Sequence, residues 1–122
     1  MKKVLLVEDE PAILSLLSKT LKKIGLNVIS CEDGEEALRQ FEVNKPELVV
    51  TDIIMPKING IELIQQLRAK HGQSFKVIIV TNIDNPQDEE TGQGLNISDY
   101  ILKSEIALHS LQQKVATALM TD

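Results

Sequence analysis

Glu8-Asp9, Asp52, Thr81 and Lys103 each stand directly after a short apolar run: Val4–Val7, Leu48–Thr51, Val77–Val80 and Tyr100–Leu102. If those runs lie side by side, three carboxylates, a hydroxyl and an ammonium meet at one edge. Carboxylates ~5 Å apart repel by roughly 3 kcal/mol per pair at an effective dielectric near 20, so something positive must offset them. An all-oxygen set without histidine or cysteine suits a hard divalent cation, Mg2+ first. Lys103 supplies a second positive charge. A carboxylate beside a cation and an ammonium is a competent nucleophile toward a phosphoryl group. The cation and lysine neutralise the phosphoryl oxygens during transfer, and Thr81 can donate a hydrogen bond to one of them.

Taken singly, these residues have ordinary readings. Acids cap helices, a lone lysine is solvated, a threonine closes a strand, and Tyr100 can be a half-buried strand aromatic. Their common position at the ends of the runs is what favours a site. The other tempting residues lack that position. His71 should close a helix and His109 should sit on one, both at the surface. Cys31 reads as a small packed side chain. Asp88-Glu89-Glu90 reads as a solvated helix start, where negative charge complements the helix dipole.

The elements that must position the site follow from pattern. The nearly unbroken aliphatic runs suit strands buried on both faces of a parallel sheet, and the more mixed Leu26–Cys31 suits a strand nearer the edge. Between the runs lie helix signals. Pro11 opens the first helix, with Ile13, Leu14, Leu17, Leu21 and Ile24 on one face and Gly25 ending it. Asp33 with Glu36, and Asn59 with Glu62, resemble capping boxes for the second and third. The last helix is expected to start at Ser104, to bury Leu108, Leu111, Val115 and Ala118 or Leu119, and to end near Met120. By position Pro86–Asn96 should be the fourth, yet it holds Gly92 and Gly94, each costing about 1 kcal/mol relative to alanine, and is expected to be the least stable element. The fold class is therefore α/β: a doubly wound, five-stranded parallel sheet of order 2-1-3-4-5 with helices on both faces. In that arrangement ligands bind beyond the carboxyl ends of the strands, where the four positions above fall.

Composition narrows the classes. The 122 residues suit one domain, expected to fill 1–122 with no output domain. A net charge of −5, from 13 basic and 18 acidic residues, argues against direct nucleic-acid binding. One cysteine excludes an intramolecular disulfide and fits a cytoplasmic location. The N-terminal apolar stretch reaches Glu8-Asp9-Glu10 too soon for a signal peptide, and no window approaches the ~18 residues of a membrane span.

The pieces Val7-Glu8-Asp9-Glu10, Asp52, Met55-Pro56, Gly60, Thr81, Asp99-Tyr100 and Lys103, in this order and spacing, resemble the receiver domain of two-component response regulators over essentially the whole chain. The resemblance implies that Asp52 is the phosphoacceptor. It implies that Asp9, Asp52 and the backbone carbonyl of Ile54 bind Mg2+ directly, that Glu8 acts mainly through water, and that Lys103 pairs with the phosphoryl group. Thr81 and Tyr100 would be the switch pair. The phosphodonor would be a sensor histidine kinase or a phosphotransfer protein. A downstream protein would bind the face of the fourth helix, fifth strand and fifth helix, and a dimer on phosphorylation belongs to the same implication. Such a chain is a binding switch, not a turnover enzyme, catalysing only its own phosphorylation and dephosphorylation.

Several positions depart from the family pattern. Asn82 stands where a very small residue is usual, and Ser104 where proline is usual, so a trans Lys103–Ser104 bond is expected. Asn96-Ile97 replaces a Gly-Ala step. Apolar Ile54 and Ile83 flank the site and are expected to hinder the attacking water, giving a long-lived phosphate. Competing readings are a degenerate receiver acting as a phosphorylation-independent docking module, and an aspartyl-phosphate phosphatase. The phosphatase lacks a general acid two residues after Asp52. A flavin module would have its phosphate repelled by Glu8-Asp9-Glu10.

Overall fold

Four aliphatic runs and one mixed run become five parallel strands: β1 (Lys3–Val7), β2 (Asn27–Cys31), β3 (Leu48–Thr51), β4 (Lys76–Thr81) and β5 (Asp99–Leu102), in the order β2-β1-β3-β4-β5. The structure is a computed structural model that describes residues 2–82, 95–105 and 107–120. Its helices are α1 (Pro11–Lys22), α2 (Gly34–Asn44), α3 (Gly60–His71) and α4 (Leu108–Met120). Among the described residues, no helix is long and apolar enough to cross a membrane.

Alternation along each strand divides the core into two layers. Leu5 and Val7 join Phe41 of α2 and Ile61, Ile64 and Leu67 of α3. Val4 and Leu6 join Leu14, Leu17 and Leu21 of α1 and Leu111 and Val115 of α4. Between their ends the inner strands are apolar because both of their faces are covered. β2, with a single neighbour, keeps partly exposed positions as its mixed sequence anticipates. Each fully buried leucine or isoleucine contributes roughly 2 kcal/mol.

The caps behave as their sequences suggest, with one half missing. Asn59 and Glu62 form a reciprocal capping box on α3. Asp33 accepts from the Glu36 N–H at 2.8 Å, but no return bond from Glu36 accompanies it. Pro11 occupies the first turn of α1.

Four expectations need correction. Ile24 is 40% exposed because α1 ends at Lys22 and Ile24 lies on the turn that Gly25 closes at φ +86°. The last helix begins at Leu108, not Ser104. Lys103–Glu105 form a 3-10 turn, and helical bonding starts with the Leu111 N–H donating to Ala107. Leu108, on the first turn of α4, is 37% exposed. His71 ends α3 as expected but is only partly exposed: its ring packs 4.5 Å from that of Phe41, and Nε2 meets Glu42 Oε1 at 3.0 Å. His109 is exposed, and Cys31 is fully buried. Most of the expected fourth helix, with Ile83 and Asp88-Glu89-Glu90, lies outside the described residues. Leu95 and Asn96, its expected last residues, are not helical.

Candidate functional site

Parallel register brings the strand ends level. Val7 pairs with Thr51, and Thr81 pairs with Leu102, so Glu8, Asp52, Thr81 and Lys103 emerge at one edge of the sheet. The Asp52 N–H donates to the Val7 carbonyl at 3.3 Å, and the Glu8 N–H to that of Cys31 at 3.1 Å. These bonds hold the two acids one residue beyond their strands. The Thr51 hydroxyl donates to the Asp52 carbonyl at 2.9 Å.

The α3 start fits tightly beneath Asp52. The Gly60 N–H donates to the Ile53 carbonyl at 2.8 Å, and a Cβ on Gly60 would stand 1.9 Å from the Asp52 carbonyl oxygen. Only glycine permits that approach, which is a physical reason for Gly60 at this point of the chain.

Lys103 reaches into the acids. Its Nζ lies 2.7 Å from Asp52 Oδ2 and 2.9 Å from Glu8 Oε2, also touches Glu8 Oε1, and stands 3.8 Å from Glu10 Oε1. The other Asp52 oxygen, Oδ1, accepts from the Ile53 N–H at 2.7 Å. Glu8, Asp9 and Asp52 each offer a carboxylate oxygen, and these oxygens lie within 4.8 Å of one another. Glu8 and Asp52 are buried, Asp9 partly so.

Burial pushes the Glu8 carboxyl above its ordinary pKa; Lys103 offsets part of this, while Asp52 and Asp9 reinforce it. Burial works against the charge on Lys103, yet its bonds to Asp52 and Glu8 outweigh that and hold the ammonium above its ordinary value. The ammonium is thus firmly charged. The acid edge is nevertheless not neutralised by one lysine.

Thr81 is buried, and with Asp9, Glu10, Asp52, Ile54, Asn82 and Lys103 it lines a cleft of about 350 Å³. Ile54 and Asn82 are exposed residues of its wall. Tyr100 is partly buried on the sheet face that carries Phe41 and Phe75, away from this cleft's lining, and burial raises its phenol pKa. The Lys103–Ser104 bond is trans, and the lysine still reaches Asp52. Sequence reasoning did not foresee Glu10 as a third acid near Lys103, although it adjoins the acidic pair. It also missed the close packing of the loop after Asp52.

Three oxygen-donor carboxylates with no nitrogen or sulfur ligand among them fit a hard divalent cation. Glu8, whose two oxygens both meet Lys103, is the least available of the three for direct coordination.

The response regulator receiver domain model matches residues 4–116. The alkaline phosphatase synthesis transcriptional regulatory protein PhoP of Bacillus subtilis (strain 168) is 41% identical over 102 residues, covering 84% of this chain and 42% of that protein. The probable transcriptional regulator ycf27 of Cyanophora paradoxa is 39% identical over 102 residues, with the same shares covered. The chain spans about two-fifths of the length of these relatives. Among solved structures, response regulator protein TrrA of Thermotoga maritima, in complex with Mg(2+)-BeF, aligns with a TM-score of 0.86 and 32% identity, covering 97% of this chain and 99% of that one. A CheY-like receiver domain protein from Methanospirillum hungatei JF-1 aligns with a TM-score of 0.88 and 25% identity, covering 98% and 94%. The family match runs from the first strand into the last helix, and the chain belongs to the response regulator receiver domain family.

Proposed function

We propose that the chain is a phosphorylatable signalling switch in which Asp52 accepts a phosphoryl group with Mg2+ at the acidic edge. The observation that carries this is the Asp52 carboxylate itself: one oxygen is tied to the Lys103 ammonium at 2.7 Å, within a cluster holding two further carboxylates. Asp9, Asp52 and the Ile54 carbonyl would hold the cation directly, and Glu8 through water. When bound, the cation supplies charge neutralisation to the phosphoryl oxygens. The kinship to a receiver solved in complex with Mg(2+)-BeF supports this assignment.

The chain's own residues do the rest. A carboxylate oxygen of Asp52 forms the new O–P bond as the donor's P–N bond, or P–O bond in a small acyl phosphate, breaks, and the leaving group departs with the bonding pair. The Ile53 N–H orients the carboxylate through Oδ1. Lys103 follows the charge from the carboxylate to the phosphoryl oxygens, and Thr81, buried in the cleft lining, donates to another of them. Movement of Thr81 opens space for Tyr100 to turn inward, altering the surface of β5 and α4 for a downstream protein or a dimer partner. The donor is a sensor histidine kinase or phosphotransfer protein, in the cytoplasm. Ile54 in the cleft wall slows the attacking water, giving a long-lived phosphate.

The test is incubation with Mg2+ and a small acyl-phosphate donor, read by mass. A one-phosphate shift that needs Mg2+ and disappears in Asp52→Ala is the expected result. No shift with any donor, in folded protein, sinks the proposal and favours the phosphorylation-independent docking module.

A further inference from the structure

The loop that leaves Asp52 is clamped a second time, at the start of α2. Lys57 adopts φ +70°, a left-handed turn that a lysine rarely takes without a reason. The turn delivers Ile58 onto the start of α2, where a Cβ on Gly34 would stand 2.9 Å from Ile58 Cβ, 3.1 Å from its carbonyl oxygen and 3.4 Å from Cγ2. Beside this contact, Lys57 Nζ pairs with Asp33 Oδ2 at 3.6 Å, and Asp33 is itself locked as the cap of α2. The Ile53–Asn59 loop is therefore held at one end by Gly60 under Asp52 and near its far end by Gly34 under Ile58. Between those points lies Ile54, in the cleft wall.

Gly34 does not have a left-handed backbone, so its conformation does not demand glycine. Alanine is the better helix former at such a position. What requires a missing side chain there is Ile58. We infer that Gly34 and Ile58 are positioning residues for the acidic site: their interlock sets the height of the Asp52–Gly60 loop, and through it the cation affinity of the Asp9–Asp52 edge. The inference rests on the Mg2+ reading above. It makes the start of α2 a control point for the site, although no α2 side chain lines the cleft.

The experiment is a double-mutant cycle on the full chain, with Mg2+ affinity read from the amide shifts of Asp9 and Asp52 and thermal stability read in parallel. Gly34→Ala should weaken Mg2+ binding about tenfold by lifting Ile58. Ile58→Gly removes Cβ and Cγ2, leaving only the carbonyl contact at 3.1 Å, so in that background the same Gly34→Ala change should alter affinity by less than about twofold. A general loss of helix stability cannot produce that rescue. Equal losses in both backgrounds, or no loss in either, overturn the inference while wild-type Mg2+ binding stands. A folded wild-type chain with no Mg2+ response overturns the metal reading and this inference with it.

Discussion

Lys103 Nζ lies 2.7 Å from Asp52 Oδ2 while the same ammonium holds both carboxylate oxygens of Glu8. One cation thus serves two buried acids, 95 and 51 residues before it in the sequence. Removing it by Lys103→Met strands both charges. Breaking a buried pair costs about 3–5 kcal/mol, and protonation of Glu8, already displaced upward, recovers part, so a net loss of about 2–3 kcal/mol at neutral pH is expected. Urea unfolding in chelator should show it, and Mg2+ should restore some of the loss. A change below about 1 kcal/mol, the range of exposed pairs, means the pairing carries little weight.

Gly60→Ala places a methyl group 1.9 Å from the Asp52 carbonyl oxygen, a backbone atom that cannot rotate away. Overpacking costs about 1–3 kcal/mol and occasionally more, and the upper end is expected here because α3 itself must shift. Acyl-phosphate labelling of Asp52 should fall with it. Wild-type stability together with wild-type labelling would contradict the close fit.

Arg68 is buried, stacks 4.1 Å from the Phe75 ring centre, and donates to the carbonyls of Leu95, Gly72, Phe75 and Asn96. It ties the end of α3 to the chain just ahead of β5. Arg68→Ala leaves those carbonyls without their donor, at about 2–3 kcal/mol in total. The Ser98 N–H, bonded to Val77 at the start of β5, should exchange faster. Lysine should not rescue, because one ammonium cannot span the same set of acceptors. Full rescue by Arg68→Lys would reduce the role to charge alone.

Glu42 accepts from Lys70 at 2.7 Å and His71 at 3.0 Å, with Lys45 at 3.4 Å, and these partners pull its carboxyl down to about 2. A lowered acid pKa means that the unfolded chain protonates first as pH falls. The contribution is present above the ordinary value of 4.5 and is lost as pH falls toward about 2. Solvent screening keeps it small. Carboxyl-carbon titration should place the Glu42 midpoint near 2 and move it up in Lys70→Ala. A wild-type midpoint near 4.5 rules the cluster out as an acid-sensitive tie between α2 and α3.

The sequence by itself determined the sheet and the list of residues at its edge. Val4–Val7, Leu48–Thr51 and Val77–Val80 can only be buried on both faces, and the residue that follows each run must emerge at a carboxyl end. Asp52 and Thr81 were legible because a strand end is one peptide bond from the pattern that reveals it. Tertiary structure decided how those residues meet. That Lys103 serves Glu8 as well as Asp52 depends on β5 lying beside β4 and on a 3-10 turn delaying α4 to Leu108. His71 looked like a surface residue because a helix end says nothing about Phe41 on a neighbouring helix. The packing reason for glycine at position 34 is Ile58, brought over by the positive φ of Lys57. Local pattern reports what a segment does with its own backbone. The partners of a side chain reached across 24 to 95 residues are set by packing, which no single segment contains.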